Sequence, residues 1–229
     1  MATRAYSGEG LLRNGAVHCV LFDLDGTLYD SREYNEYFDS QMTSIVSEVI
    51  GVERDEASRI LQLRRKEKGT LTGAMESLGI NRQEFHRLVA ERVEPNRYLS
   101  SDKATRKMIS RLKGSGLKIG LVSNSGRNLV KKILEALELE PQLFDAIITG
   151  TDVEPKPSQK PFLMTLERIG CDKASTVYVG DREEVEIRPA HEMGIRTVLI
   201  SRDTEQKHPK WADVVITNLG ELEKIIIEK

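Results

Sequence analysis

The chain has 229 residues, and 34 Lys and Arg against 36 Asp and Glu give it a formal net charge of −2. That balance leaves no basic field to grip nucleic acid and no polybasic segment to hold an anionic membrane, so neither partner is expected. An apolar fraction of 39% supplies a core for one large domain, or for a core domain carrying a smaller insertion.

In chain order, residues 1–14 read as a polar, glycine-containing leader. The opening MATRAYSGEGLLRNGAVHC has no continuous apolar stretch of the kind a signal peptide carries, and no later run reaches the length of a membrane span. A soluble, cytoplasmic protein is expected. The two cysteines, Cys19 and Cys171, lie far apart without CxxC or zinc-ligand spacing, and both are expected as free thiols.

Residues 16–22, AVHCVLF, form a short apolar run rich in β-branched side chains and read as a buried strand. Residues 32–100 offer no comparable strand. There Tyr34, Phe38, Met42, Ile45 and Val49 recur at helical spacing, with Gly51 as the stop. Ala57, Ile60, Leu61 and Arg64 mark a second helix, and Gly69 and Gly73 break the pattern before Met75 and Leu78. Phe85, Leu88 and Val89 mark another, ended by Pro95. The aromatic residues Tyr34, Tyr37 and Phe38 fit packing better than base stacking, and Arg64, Arg65 and Lys66 fit an exposed helix face.

From residue 101 the pattern alternates. Helices are expected over 102–113, 127–137, 158–169 and up to residue 193, with one more at the C-terminus. Strands are expected over 117–122, 145–149, 175–180, 196–201 and 213–216. Such alternation implies an α/β fold: a Rossmann-like, doubly wound parallel sheet covered by helices on both faces. The core then comprises residues 15–30 and 101–229, and the helical stretch 31–100 is an insertion after the first strand.

In open parallel sheets, ligands bind beyond the carboxyl ends of the strands. Asp23 and Asp25 follow the first apolar run, Ser123 and Asn124 follow the second, Asp181 follows STVYVG, and Lys156 stands in the loop after DAIIT. Asp23 and Asp25, two positions apart in extended chain, point the same way. With Asp181 they make a set of hard oxygens suited to Mg²⁺. Ser123 can donate to a phosphoryl oxygen, Lys156 can neutralise charge developing there, and a carboxylate can attack phosphorus. The four histidines, His18, His86, His191 and His208, form no cluster; His18 is read as a core or strand-edge residue and the rest as surface.

DLDGT from Asp23, VSNS from Val122, KP at Lys156 and VGD ending at Asp181 appear in this order, each after its expected strand. In these four motifs the chain resembles the haloacid dehalogenase-like hydrolase superfamily, mostly phosphatases, over about residues 16–220. The resemblance implies Asp23 as nucleophile, Asp25 as general acid and base, and Ser123, Asn124 and Lys156 as phosphate holders. It further implies Mg²⁺ held by Asp23, the main-chain carbonyl of Asp25 and Asp181, with Thr27 and Glu186 in support. The insertion is then a cap over the site. The implied partner is a small phosphorylated metabolite, and monomer and homodimer both stay open.

The chain departs from the family pattern twice. GDREEVEI offers only glutamates where a second aspartate is usual, with Glu186 at the expected spacing and Glu184 as the other candidate. KPSQ replaces the common KPDP and leaves Lys160 beside Lys156. The cap and the stretch DLDGTLYDSREYNEYF resemble pyrimidine 5′-nucleotidase-like members more diffusely, so a nucleoside monophosphate is one expected substrate. Sugar phosphates and phosphoglycolate are alternatives. A dehalogenase is disfavoured by Asp25, and Glu186 is the one feature that favours a non-catalytic relative.

Overall fold

In the computed structural model, which describes residues 16–202 and 209–227, the apolar runs become strands buried almost from end to end. Cys19–Phe22 (β1), Lys118–Val122 (β2), Ala146–Ile148 (β3), Thr176–Gly180 (β4), Arg196–Ile200 (β5) and Val214–Ile216 (β6) form one sheet. All pairings are parallel, in the order β3-β2-β1-β4-β5-β6. Side chains alternate across it, so Val20 and Phe22 join one core and Cys19 and Leu21 the other.

Residues 32–92 insert four helices after β1: Arg32–Ile50 (α1), Arg54–Lys68 (α2), Leu71–Ser77 (α3) and Arg82–Arg92 (α4). Lys103–Gly114 (α5) and Arg127–Ala136 (α6) cover the first face together with Gly220–Ile226 (α9). Lys160–Ile169 (α7) and Arg188–Glu192 (α8) cover the second. Chain order reverses at β1, whose neighbours are β2 and β4, and a crevice opens there at the carboxyl edge.

Three expectations change. Gly69 does end α2, in left-handed backbone, but Gly73 lies inside α3, where its N–H donates to Thr70 Oγ1 at 3.1 Å. Within the first turn behind a threonine cap, glycine interrupts little. The helix expected up to residue 193 is a single π-helical turn, Glu183–Ile187, followed by α8. Cys19 and Cys171, expected as free thiols, are joined as a disulfide with their Cα atoms 6.6 Å apart. They lie 152 positions apart in the chain and meet because α7 packs back onto the face of β1, which spacing cannot reveal. The leader, residues 1–14, and His208 lie outside the described residues. Among the described residues no helix is long and apolar enough to cross a membrane.

Candidate active site

Asp23 leaves β1 with its N–H bonded to the Val179 carbonyl at 2.9 Å, so the sheet ladder itself aims the side chain beyond the edge. The chain then turns at once: Thr27 and Leu28 donate back to the Leu24 carbonyl at 3.3 and 3.0 Å. Gly26 takes φ +86°, and a Cβ there would overlap the Asp181 carboxylate, so only glycine lets the loops after β1 and β4 approach this closely. Ser123 is held at the end of β2 by its N–H on the Ile148 carbonyl, 3.0 Å.

Lys156 is the electrostatic centre. It is wholly buried, and its ammonium donates to Asp23 Oδ1 (2.5 Å), Glu186 Oε1 (2.9 Å), the Val122 carbonyl (2.9 Å) and Tyr178 Oη (2.9 Å). Burial opposes its charge, but Asp23 and Glu186 outweigh burial and hold the ammonium above its ordinary range. Asn124 locks the main chain of Lys156 from both sides, donating to its carbonyl and accepting its N–H, each at 2.8 Å. The amide expected to hold phosphate thus positions the lysine. Lys160 is exposed and paired with Glu154 at 2.8 Å, outside this network.

Asp23, Asp181 and Glu186 bring one carboxylate oxygen each within 4.8 Å of one another. Glu184 is excluded, since its carboxylate pairs with Arg188 at 3.2 Å on the exposed side of the π turn. Burial first and Glu186 second raise Asp23 well above the usual carboxylate range, with Lys156 opposing. The same two causes raise Asp181 to about 7. Asp23 Oδ2 and Asp181 Oδ1 are buried without a hydrogen-bond partner among the described residues. Clustered acids with orphaned oxygens fit a small hard cation.

Asp25 is turned away from this cluster toward hydroxyls. Tyr29 donates to its Oδ1 at 2.5 Å, and Ser123 and Ser125 donate to its Oδ2 at 3.1 and 2.9 Å. Burial, with the Asp25 charge next, pushes the Tyr29 phenol well above its ordinary range, so it acts as a donor. Tyr29 and Ser125 were not anticipated from sequence, although Ser125 stands inside VSNS. Thr27, expected to support the acids, is buried with its hydroxyl unpartnered among the described residues and lines a separate cavity of about 860 Å³.

A cavity of about 400 Å³ lies between the insertion and the sheet edge, with Asp25, Ser125 and Asp181 on one side and Asn35, Phe38 and His86 on the other. His86 corrects the surface reading: it is buried, and side chains at Gly126 or Gly150 would come within 2.8 and 2.9 Å of it. Burial lowers its pKa to about 4. Tyr34 is buried and Tyr37 stacks on Tyr98, as packing roles require, while Arg65 pairs with Asp39 at 2.7 Å on the cavity wall. Arg182 Nη2 reaches the Gly69 carbonyl at 3.0 Å and Arg82 Nη1 the Val153 carbonyl at 3.2 Å, fastening insertion and core together.

Comparison with known proteins gives a consistent result. The family model described as haloacid dehalogenase-like hydrolase matches residues 20–200. A glyceraldehyde 3-phosphate phosphatase of Methanocaldococcus jannaschii is 29% identical over 225 residues, spanning 90% of this chain and 96% of that protein. A phosphoglycolate phosphatase of Escherichia coli (strain K12) is 31% identical over 186 residues, 71% of this chain and 73% of that one. Among solved structures, a HAD phosphatase from Thermococcus onnurineus superposes with a TM-score of 0.73 at 27% identity, over 93% of this chain and 99% of the other.

Proposed function

The chain belongs to the haloacid dehalogenase-like hydrolase family, and we propose that it is a phosphatase that hydrolyses small phosphomonoesters through an aspartyl-phosphate on Asp23. The observation that carries this reading is the pairing of two differently equipped carboxylates. Asp23 sits among acids and an ammonium, whereas Asp25 sits among hydroxyls. In the proposed reaction Asp23 attacks phosphorus while Asp25 gives its proton to the departing oxygen. Asp25 then takes a proton from the water that opens the acyl phosphate. Ser123 holds phosphoryl oxygens, and Lys156 balances the charge around Asp23.

The residues present fit Mg²⁺, which Asp23, Asp181 and the Asp25 main-chain carbonyl would hold while Glu186 anchors the Asp181 loop by accepting its N–H at 3.2 Å. Such an ion would supply charge neutralisation and orientation of the phosphoryl group. Stability gives a test independent of turnover. Because the folded-state pKa of Asp181 is raised to about 7, the folded protein binds more protons than the unfolded chain from the ordinary aspartate range up to that value. Stability of the metal-free protein therefore falls as pH rises through this window. Mg²⁺ should raise Tm more at about pH 7.5 than at about pH 5, where protons compete for the same oxygens. Thermal melts in EDTA and in MgCl₂ check this. An equal shift at both pH values would remove these acids as the binding site.

The insertion is read as a cap that excludes water and selects substrate. The similarity to glyceraldehyde 3-phosphate and phosphoglycolate phosphatases favours a short sugar phosphate or phosphorylated hydroxy acid over a nucleoside monophosphate. Phosphate release from a panel of all three classes, with and without Mg²⁺, tests the reading. A 2-haloacid serves as control. Metal-dependent phosphate release from the short substrates is expected. Halide release without metal would make the chain a dehalogenase, and inactivity throughout would make it a non-catalytic relative.

A further inference from the structure

We infer that Tyr29 is a positioning residue for the proposed reaction: its phenol fixes the plane of the Asp25 carboxylate and ties that alignment to the first helix of the insertion. The inference rests on the role proposed for Asp25. Tyr29 follows Asp25 by four residues, and a parallel β-bridge pairs the two backbones around the turn. Its hydroxyl donates to Asp25 Oδ1 at 2.5 Å from a buried ring. The ring meets Tyr34 of α1 edge to face, with centroids 5.7 Å apart at 73°. Tyr34 is itself buried and contacts Phe38, which lines the cavity. Ser31, two residues beyond Tyr29, caps α1 by accepting the Tyr34 N–H at 3.2 Å.

The division of donors between the two oxygens gives Tyr29 its use. Oδ2 faces Ser123 and Ser125, the hydroxyls on the phosphate side, whereas Oδ1 faces only Tyr29 among the described residues. When the P–O bond to the leaving oxygen breaks, the electron pair stays on that oxygen and the Asp25 proton passes to it. When water attacks the phosphoryl group on Asp23, the P–O bond to Asp23 breaks, its electron pair returns to the Asp23 carboxylate, and the water's proton passes to Asp25. The Tyr29 hydroxyl can donate to Oδ1 in both states, so it neither supplies nor consumes the transferred proton. It removes rotational freedom from the carboxyl group, and a misplaced proton donor costs rate rather than binding.

Tyr29→Phe keeps the ring and its contact with Tyr34 while deleting the donor. With p-nitrophenyl phosphate we expect kcat to fall roughly tenfold, the scale of one hydrogen bond to a charged group, with KM unchanged within about twofold. Asp25→Asn retains an acceptor for Tyr29 but moves no proton. In that background Tyr29→Phe should change kcat by less than about twofold, because residues acting as one unit are non-additive. Melting temperatures of the four proteins report folding. Equal losses in both backgrounds, an unchanged kcat in the single variant, or a loss confined to KM would overturn the inference. Full turnover by Asp25→Asn alone would instead overturn the role of Asp25, and with it the premise, so the two failures are separable.

Discussion

Asp23→Asn is expected to abolish turnover, by at least about a thousandfold, and to leave no phosphoenzyme. Asparagine has the shape of aspartate and keeps an oxygen for the Lys156 ammonium, now 2.5 Å from Oδ1. The ladder bond from its N–H to Val179 is main-chain and unaffected. The fold should therefore survive while the attacking oxygen is lost. Intact mass after quenching a reaction of the parent enzyme should show one added phosphoryl group that hydroxylamine removes, and none on the variant. A variant that still turned over within about tenfold of the parent would mean that water attacks phosphorus directly. Asp23 would then serve only to organise the site.

The residues that share this edge were legible because a parallel sheet puts every strand's carboxyl end on one side. The polar groups just beyond each apolar run therefore gather Asp23, Asp25, Ser123, Lys156 and Asp181 at one place. The helical insertion was legible from its period, and its internal boundaries from Gly51, Gly69 and Pro95. In the structure α1 ends at Gly51 and α2 at Gly69, both in left-handed backbone.

The hidden part depends on groups that meet across the chain rather than along it. Tyr178 reads as one more apolar strand residue, yet its hydroxyl accepts from Lys156. Tyr29 reads as part of the loop after the motif, and only the turn at Gly26 folds it back onto Asp25. Glu186 has the expected spacing and Glu184 stands as the other candidate; what separates them physically is the π turn, which sends Glu186 inward and leaves Glu184 outside with Arg188. His86 stands beside Glu84 and Arg87 in sequence, neighbours that suggest an exposed position rather than a buried one. Its place is made by two glycines, Gly126 and Gly150, that are remote from it in the chain.

Lys156→Met is expected to be the most destabilising single change at this edge, because it removes the buried ammonium that faces the clustered acids. In the parent, the raised Lys156 pKa means that its stabilising charge is complete below the ordinary lysine range and is lost only at still higher pH. At neutral pH the parent therefore has that stabilisation whole. Methionine fills a similar volume but leaves Asp23 and Glu186 without this counter-charge, and Tyr178 Oη and the Val122 carbonyl without this donor. Breaking a buried pair from one side costs about 3–5 kcal/mol, which for a chain of this length is a fall in Tm on the order of 10 °C. The deficit should narrow on acidification. Asp23, already raised well above the usual range, takes up a proton early and removes one of the facing charges. It should narrow also in Mg²⁺, which can stand where the ammonium's charge was missing, whereas turnover should stay lost in both conditions. Melts of the variant in EDTA at neutral and acid pH, and in MgCl₂, decide the matter. Equal stability of variant and parent in EDTA at neutral pH would mean that Asp23 is already protonated there. Lys156 would then be a hydrogen-bond donor in a neutral network rather than the counter-ion that keeps the nucleophile charged.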